Sequence, residues 1–390
     1  MKRSSNRILS SHVGSIVRPP EVLELMKLKE SGQPYDKQEF EARVKRTVDE
    51  VVKHQAAIGI DIPSDGEFSK SSFSGYANER LTGFEMKKPP PGQTGNLGRG
   101  REYKQFKEFF DETGADGGGN MVAYCTGPIT YKGQALAQRD IENFRAALKG
   151  TKIEEAFIPA AAPGTFELQR KNEYYKTEEE YLFAIADALS HEYKAIVDAG
   201  FILQLDDPRV VVQWDVHDPA PSIADFRKFA ALRVEAINRA VKGLPADRIR
   251  YHLCWRSGHT PHTTDIDLRH MVDIIMNVHA EAISMEAANP RHEHEWAVWE
   301  TVWLDGRILI PGLISHATNI VEHPELVAQR IVTYAKVAGR ENVIGATDCG
   351  FAQGAFIRRV HPQIMWAKLE ALAEGAHIAS GQLWPKGIAK

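Results

Sequence analysis

Hydrophobic residues recur along the chain in a repeating order of amphipathic helix, glycine and short apolar strand. In residues 178–208 one helical face is apolar, Gly200 ends the helix, and FILQLDDP follows as a buried strand that ends in two acids. The same order returns at 225–254, at 324–349 and, earlier, at 41–67. Alternating strands and helices predict a parallel sheet that is covered by helices.

The number of strand candidates decides between two architectures. Right-handed connections between parallel strands leave an open doubly wound sheet or a closed (β/α)8 barrel. Eight barrel strands plus one extra fit the pattern, and no glycine-rich dinucleotide-binding sequence follows the first strands. We predict an α/β fold, a (β/α)8 TIM barrel that spans residues 1–390 as one domain. The pattern does not say which of the nine candidates lies outside the barrel: 8–16, 60–67, 121–129, 154–162, 201–207, 249–254, 282–287, 307–315 and 343–348.

Composition narrows the classes of function. The 390 residues are 43% hydrophobic and 26% charged, with a net charge of −4, which argues against a broad basic face for nucleic acid or anionic lipid. No stretch approaches the roughly 18 apolar residues of a membrane-spanning helix. The start, MKRSSNRILSS, has no apolar export segment, so we expect a cytoplasmic protein. Three widely spaced cysteines exclude a disulfide scaffold and leave thiol chemistry open.

One segment, 86–120, is rich in proline, glycine and charge. Its composition is typical of a mobile surface loop. Because long loops in compact domains often have a function, a lid over the barrel mouth is the alternative.

Polar residues gather where the predicted strands end, which in a parallel barrel is the active face. Buried apolar strands have no need of such residues, so their convergence is the main sign of function. They are His12, Ser15, Asp65, Glu67, Cys125, Asp206, Asp207, His252, Cys254, Glu286, His316, Asp348 and Cys349.

The sharpest element is His252-Leu253-Cys254. Residues i and i+2 of a strand point the same way, so imidazole and thiol face the barrel axis together. With Glu286 and Cys349 they make a plausible set of four zinc ligands, and thiolates argue against magnesium or calcium. The alternative is that both cysteines are small buried hydrophobic residues.

Further histidines have two interpretations each. His316 ends a strand candidate and is either a general acid/base near the metal or a structural histidine. The HEHE stretch at 292–295 lacks the i, i+4 histidine pair of a helical zinc site, so we expect a solvated loop there. We likewise interpret His259 and His262 as surface histidines.

Seven short motifs occur together in the order found in one enzyme family. The chain resembles the catalytic C-terminal barrel of cobalamin-independent methionine synthases and their shorter single-barrel relatives. The motifs are HVGS at 12–15, DGE at 65–67, QLDDP at 204–208, HLC at 252–254, SMEAAN at 284–289, ISH at 314–316 and TDCG at 347–350.

The resemblance implies a zinc-dependent methyltransferase that converts homocysteine to methionine. It implies that zinc binds a thiol substrate as thiolate and presents it to an alkyl donor. It places homocysteine on Ser15, Glu67 and Asp206, and makes His316 the catalytic acid. It assigns zinc to four residues: His252, Cys254, Glu286 and Cys349.

The identity of the methyl donor stays open. Full-length members carry a second barrel that helps to hold polyglutamyl folate, and stack the pterin on a tryptophan after the fourth strand. Here PAAAPGTFELQR follows from residue 159 without a tryptophan. Folate, a methylated corrinoid protein and S- or O-methyl compounds remain candidate donors, and coenzyme M with an epoxide is an alternative pairing. A non-catalytic zinc-binding barrel is a further alternative.

Overall fold

Seven parallel strands form one curved sheet in the computed structural model, which describes residues 1–89, 99–114 and 121–385. In this described part of the chain the strands are β1 (Leu9–Ser10), β2 (Phe84–Lys87), β3 (Val122–Cys125), β4 (Phe157–Ala161), β5 (Arg170–Asn172), β6 (Ile202–Asp206), β7 (Ile249–Leu253), β8 (Ala282–Glu286), β9 (Ile308–Ile314) and β10 (Ile344–Thr347). The order across the large sheet is β1, β10, β9, β8, β7, β6, β4.

An eighth segment, 60–63, closes this sheet. It lies between the two edge strands β1 and β4: Ile62 pairs in parallel with Ser11, and its N–H donates to the Ser10 carbonyl at 3.0 Å. On its other side the Phe157 N–H donates to the Pro63 carbonyl at 3.1 Å. The prediction of a (β/α)8 barrel is therefore confirmed.

The candidate outside the barrel is 121–129. Its core, β3, pairs with β2 and β5 in a separate three-stranded sheet. All four residues of β3 are buried, as in a barrel strand, so hydrophobicity alone could not distinguish it. Placing Cys125 at the active face was consequently wrong: its thiol donates to the Gly127 carbonyl at 3.4 Å, away from the barrel.

Helices cover the barrel, as the alternating pattern predicts. Several begin at side-chain caps, for example Asp36, Thr177 and Ser222, each of which accepts a backbone N–H of the first turn. The helices are α1 (Pro20–Glu30), α2 (Lys37–Ala57), α3 (Ala77–Arg80), α4 (Arg101–Gln105), α5 (Lys107–Thr113), α6 (Gln134–Ala147), α7 (Pro163–Glu167), α8 (Glu178–Asp198), α9 (Pro208–Val216), α10 (Ile223–Ala240), α11 (Val272–Ile275), α12 (Pro324–Ala338) and α13 (Pro362–Leu383). Short 3₁₀ turns lie at Ala246–Arg248, Leu268–His270, Glu293–Thr301 and Arg340–Asn342.

Among the helices of the described segments, none combines the length and the apolar character needed to cross a membrane.

A close backbone contact fixes the end of β10 against β9. A Cβ on Gly312 would lie 2.4 Å from the Asp348 Cα and 2.5 Å from its nitrogen. The pairing of the two strands shifts register between Ala346 and Thr347, directly before this contact. Only glycine lets the chain turn from β10 into the Asp348-Cys349 pair at this point.

We predict that Gly312→Ala destabilises the fold by about 1–3 kcal/mol or more, because the clash is with backbone that cannot rotate away. Urea unfolding would measure the change. The control is Gly381→Ala in α13, where an added Cβ meets nothing within 4 Å. There the better helix propensity of alanine should stabilise by up to about 1 kcal/mol. Equal effects of the two substitutions would contradict the prediction.

Candidate active site

The polar side chains that end the barrel strands surround one cavity of about 220 Å³. Six of the predicted site residues line the cavity: Ser15, Glu67, Asp206, His252, Cys254 and Cys349. The other two, Glu286 and His316, are each 3% exposed but are not among its lining residues within the described part of the chain.

Three potential metal ligands converge at one end of this cavity. The His252 nitrogen and the Cys254 and Cys349 sulfurs lie within 4.8 Å of one another. His252 belongs to β7 and Cys254 follows it, so strand alternation aims both inward while Leu253 packs among the outer core. Cys349 arrives from β10, across the barrel. The predicted juxtaposition of these three residues is thus present.

The geometry of the three residues suits a tetrahedral metal ion. The two sulfurs are 3.7 Å apart. Zn–S bonds of about 2.3 Å at a tetrahedral angle put two sulfurs about 3.8 Å apart. His252 uses Nδ1 at 3.1 Å from the Ser284 hydroxyl, while its buried Nε2 has no hydrogen-bond partner in the described structure. A free imidazole nitrogen beside two thiols is a ready ligand position.

Glu286, the fourth predicted ligand, lies just outside this close group. One carboxylate oxygen accepts from the Asn289 amide at 3.0 Å, and the other is buried without a partner among the described residues. Burial and the nearby Asp348 raise the pKa of Glu286 well above its usual value. A carboxylate oxygen left without a partner in such surroundings is suited to a cation.

The two sulfurs are hydrogen-bonded to each other. This contact lowers the pKa of Cys349 well below its usual value and raises that of Cys254. A divalent cation would favour the deprotonated form of both sulfurs.

Glu67 and Asp206 form the acidic part of the cavity wall. Burial raises the pKa of both carboxyls, and for Asp206 the neighbouring Glu67 adds to the effect. The Asp206 carboxylate accepts from the Gln204 amide at 2.7 Å, whereas Glu67 Oε2 is buried without a partner in the described ranges. Two carboxyls that repel each other when ionised are a complementary surface for an ammonium group.

Ser15 owes its position to the glycine of the TDCG motif. A Cβ on Gly350 would lie 2.0 Å from the Ser15 hydroxyl oxygen. That oxygen accepts the Ala352 N–H at 3.3 Å, and the Ser15 carbonyl accepts the Phe351 N–H at 2.9 Å. The loop after β10 therefore carries Cys349 and also holds the serine after β1.

His316 follows β9 and is enclosed beside the thiols. Burial lowers its pKa to about 4, although Cys349 opposes the shift. Neither ring nitrogen has a hydrogen-bond partner within the described residues. The ring is therefore neutral at pH 7.

Residues 99–114 cover the mouth of the cavity, which favours the lid interpretation for this part of 86–120. They form α4 and α5, and Arg99, Tyr103 and Phe110 contribute to the cavity wall. Lys87 ends β2 before this segment. The stretches 90–98 and 115–120 lie outside the described residues.

Asp215 of α9 holds this lid. Its buried carboxylate accepts the Glu102 N–H at 2.8 Å and the Thr264 hydroxyl at 2.5 Å, and pairs with Arg256. Arg256 also lies 3.7 Å from the Glu102 carboxylate. A Cβ on Gly100 would be 2.3 Å from Asp215, so glycine permits this approach.

The prediction of a solvated loop at 292–295 was wrong, as was that of a surface position for His262. His292, Glu295 and His262 are 3%, 5% and 6% exposed. One Asp265 oxygen lies 2.7 Å from His262 Nδ1 and 3.1 Å from His292 Nε2, and His292 Nδ1 contacts Glu295 at 2.8 Å. The flanking acids raise the pKa of His292 to about 9, against the effect of burial. These groups satisfy one another through hydrogen bonds, and the network joins the loops that follow β7 and β8.

Comparison with known proteins agrees with the motif resemblance. No family model matches the chain. It is 25% identical to a methionine synthase of Thermococcus kodakarensis over 379 residues, 97% of this chain and 95% of the relative. It is 22% identical to a methionine synthase of Sulfurisphaera tokodaii, over 96% of this chain and 93% of that protein. The chain is thus similar over nearly its whole length to proteins named methionine synthase.

A solved methionine synthase has the same fold. The B12-independent methionine synthase from Shewanella sp. W3-18-1, determined in complex with selenomethionine, superposes with a TM-score of 0.74 at 20% identity. The match covers 97% of this chain and 99% of that one.

Motif comparison with the methionine synthases missed the residues that shape the outer cavity. Arg209, Arg256 and the lid residues Tyr103 and Phe110 all line it. Only Arg209 left a signal in the sequence, because it directly follows the QLDDP motif at the end of a predicted strand. The lid residues lie in a segment whose composition resembles a loop.

We predict that Asp215→Asn loosens the lid, since a neutral amide is a weaker partner for Arg256 and for the α4 N–H groups. A loss of about 1–3 kcal/mol would speed hydrogen exchange of the 101–105 amides roughly five- to 150-fold. The control is Asp218→Asn, whose partner Lys104 is 70% exposed. That exposed pair should contribute less than about 1 kcal/mol. Unchanged exchange in Asp215→Asn would show that α4 is held by other contacts.

Proposed function

We propose that the protein transfers a methyl group to the thiol of homocysteine, giving methionine. The observation that carries this proposal is that one cavity combines a thiol pair 3.7 Å apart, joined by His252, with the paired acids Glu67 and Asp206. The thiol pair with its imidazole suits a metal that binds a substrate sulfur. The paired acids suit the ammonium of an amino acid. The names of the relatives support the same reaction.

We infer that the metal is zinc, with His252, Cys254, Glu286 and Cys349 as its ligands. The donor set is half sulfur, which favours zinc over harder cations. The partnerless His252 Nε2 and Glu286 Oε1 support the assignment of the two non-sulfur ligands. When bound, zinc would supply deprotonation of the substrate thiol at neutral pH.

The chain's own residues orient the acceptor. Glu67 and Asp206 bind the ammonium group, and Ser15 lies where it can hydrogen-bond the amino-acid end. Fixing that end points the sulfur at the incoming methyl group, which replaces a bimolecular encounter by an oriented one. The sulfur then forms a bond to the methyl carbon as the bond to the donor breaks, and the donor keeps the electron pair.

His316 is proposed to carry the proton. The proton released from the substrate thiol would pass through this ring to the departing donor group, so that the proton balance of the transfer closes within the site. This cycle leaves the protein in its starting state. His316 would thus act as the acid predicted from the sequence once it has taken up this proton.

A sulfonate acceptor such as coenzyme M fits this wall less well. Its anionic end would face Glu67 and Asp206, both of which are acids. The repulsion between the sulfonate and these two carboxylates would oppose binding, so an amino-acid thiol is favoured over a sulfonate thiol.

We predict that Cys254→Ser and Cys349→Ser each abolish stoichiometric zinc binding, because a hydroxyl does not replace a thiolate ligand. Elemental analysis of protein purified without added metal gives the answer. Cys125→Ser is the matched control, since that buried thiol only bonds the Gly127 carbonyl, which a hydroxyl can also do. Full zinc in both site variants would refute the ligand assignment.

We predict that Glu67→Gln and Asp206→Asn each weaken homocysteine binding about ten- to 100-fold while zinc is retained, since one charge-assisted hydrogen bond contributes roughly 1.5–3 kcal/mol. Calorimetry with homocysteine measures this. The control ligand is 4-mercaptobutanoate, which lacks the ammonium and should not lose affinity. If both thiols weaken equally, the acids do not bind the amino group.

A further inference from the structure

Arg209, in the wall of the cavity, lacks a partner for its positive charge. It follows the strand-end acids in the first turn of α9. Its backbone N–H donates to the Thr165 hydroxyl at 3.2 Å. In the described part of the chain its guanidinium has neither a hydrogen bond nor an ion pair with a carboxylate.

The most buried arginines of the described residues each hydrogen-bond to a carboxylate, an amide or a carbonyl. Arg80 pairs with Asp140 and Glu192, and Arg233 with Glu167 and Glu178. Arg250 donates to Gln204 Oε1, Ser11 Oγ and the His12 carbonyl. Buried charge is normally compensated in this way. Arg209 is partly exposed and differs from these arginines in that its guanidinium has no such partner among the described residues.

Among the described residues, no carboxylate forms an ion pair with Arg209. Burial and, to a smaller extent, the positive charge of Arg256 lower the pKa of Arg209 to about 10. Arg256 is itself matched by Asp215 and Glu102, so these acids are already used. Within the described residues the guanidinium of Arg209 is thus available to an anion that enters the cavity.

The cavity around Arg209 has two chemically different parts. Its inner end holds the thiols, Glu67 and Asp206, with Arg359 near Cys349, whereas the wall formed by α9 and the lid offers Arg209, Val212, Tyr103 and Phe110. Under the proposed function the inner end takes the thiol and ammonium of the acceptor. The outer wall is then left for the second substrate, the methyl donor.

We propose that Arg209 binds an anionic group of the methyl donor, so that the site selects anionic donors over cationic sulfonium or quaternary ammonium donors. A guanidinium matches a carboxylate or a phosphate through two parallel hydrogen bonds. The flanking Tyr103, Phe110 and Val212 suit an apolar or aromatic donor body beside the charge. This inference rests on the proposed function for its division of the cavity between acceptor and donor.

The test uses two probes of one shape and different charge, benzoate and benzamide. Their binding to the zinc-loaded full chain is measured by calorimetry with homocysteine present at saturation. We expect benzoate to bind at least ten-fold more tightly than benzamide. Arg209→Met should abolish this preference, and Arg209→Lys should restore part of it. The matched control is Arg358→Met, which removes an exposed arginine and should leave the preference unchanged.

Two results would overturn the proposal. One is equal binding of the two probes to the wild-type protein, or a preference that survives in Arg209→Met. The other is competition between benzoate and homocysteine, which would assign Arg209 to the acceptor's carboxylate. Because the probes report binding without turnover, either result is distinct from failure of methyl transfer itself. Loss of transfer with the benzoate preference intact would overturn the proposed reaction and leave the anion site.

Discussion

The excess of acidic groups at the carboxyl end of the barrel is the constraint on which the site depends. Glu67, Asp206, Glu286 and Asp348 are all at most 5% exposed, and burial raises the pKa of each. Two thiols lie among them. Such a group of acids ionises fully only when cations compensate it. A divalent metal at the thiols and an ammonium at Glu67 and Asp206 would supply that compensation from two sides.

The loops that carry these acids are packed closely against one another at the strand ends. Ser15, Cys349 and Asp348 come from opposite ends of the sequence, and contacts to Gly312 and Gly350 hold them together without room for a side chain. One Asp348 oxygen accepts the Ala287 and Ala288 N–H groups at 2.9 and 2.8 Å, which connects the loop after β8 to the loop after β10. The ligand loops thus constrain one another. Fixed loops keep the acids close even though their mutual repulsion would drive them apart.

The sequence predicted the barrel and the convergence of His252, Cys254 and Cys349 because both depend on local periodicity. Alternation in β7 alone aims His252 and Cys254 the same way, and parallel strands bring Cys349 to the same end. The predictions for two other segments were wrong, because the burial of these segments depends on contacts with residues distant in the sequence. The strand within 121–129, β3, is the central strand of the second sheet and is fully buried there, so it is as hydrophobic as a barrel strand. His292 is buried because Asp265, 27 residues earlier in the sequence, offers it a partner, and Glu295 pairs with His292 in turn. No periodicity in either segment encodes these partners.

The lid depends on the same kind of distant pairing. Its residues are charged and polar in sequence, yet Glu102 is 1% exposed because Asp215 and Arg256 provide hydrogen bonds and opposite charge. Asp215 and Glu102 neutralise Arg256, whereas Arg209 in the same wall has no carboxylate partner among the described residues. Closing the lid removes water from that cation, which strengthens its attraction for an anion and raises the cost of leaving it alone. Lid closure and donor binding would therefore favour each other, because a bound anion offsets the desolvation that closure imposes on Arg209.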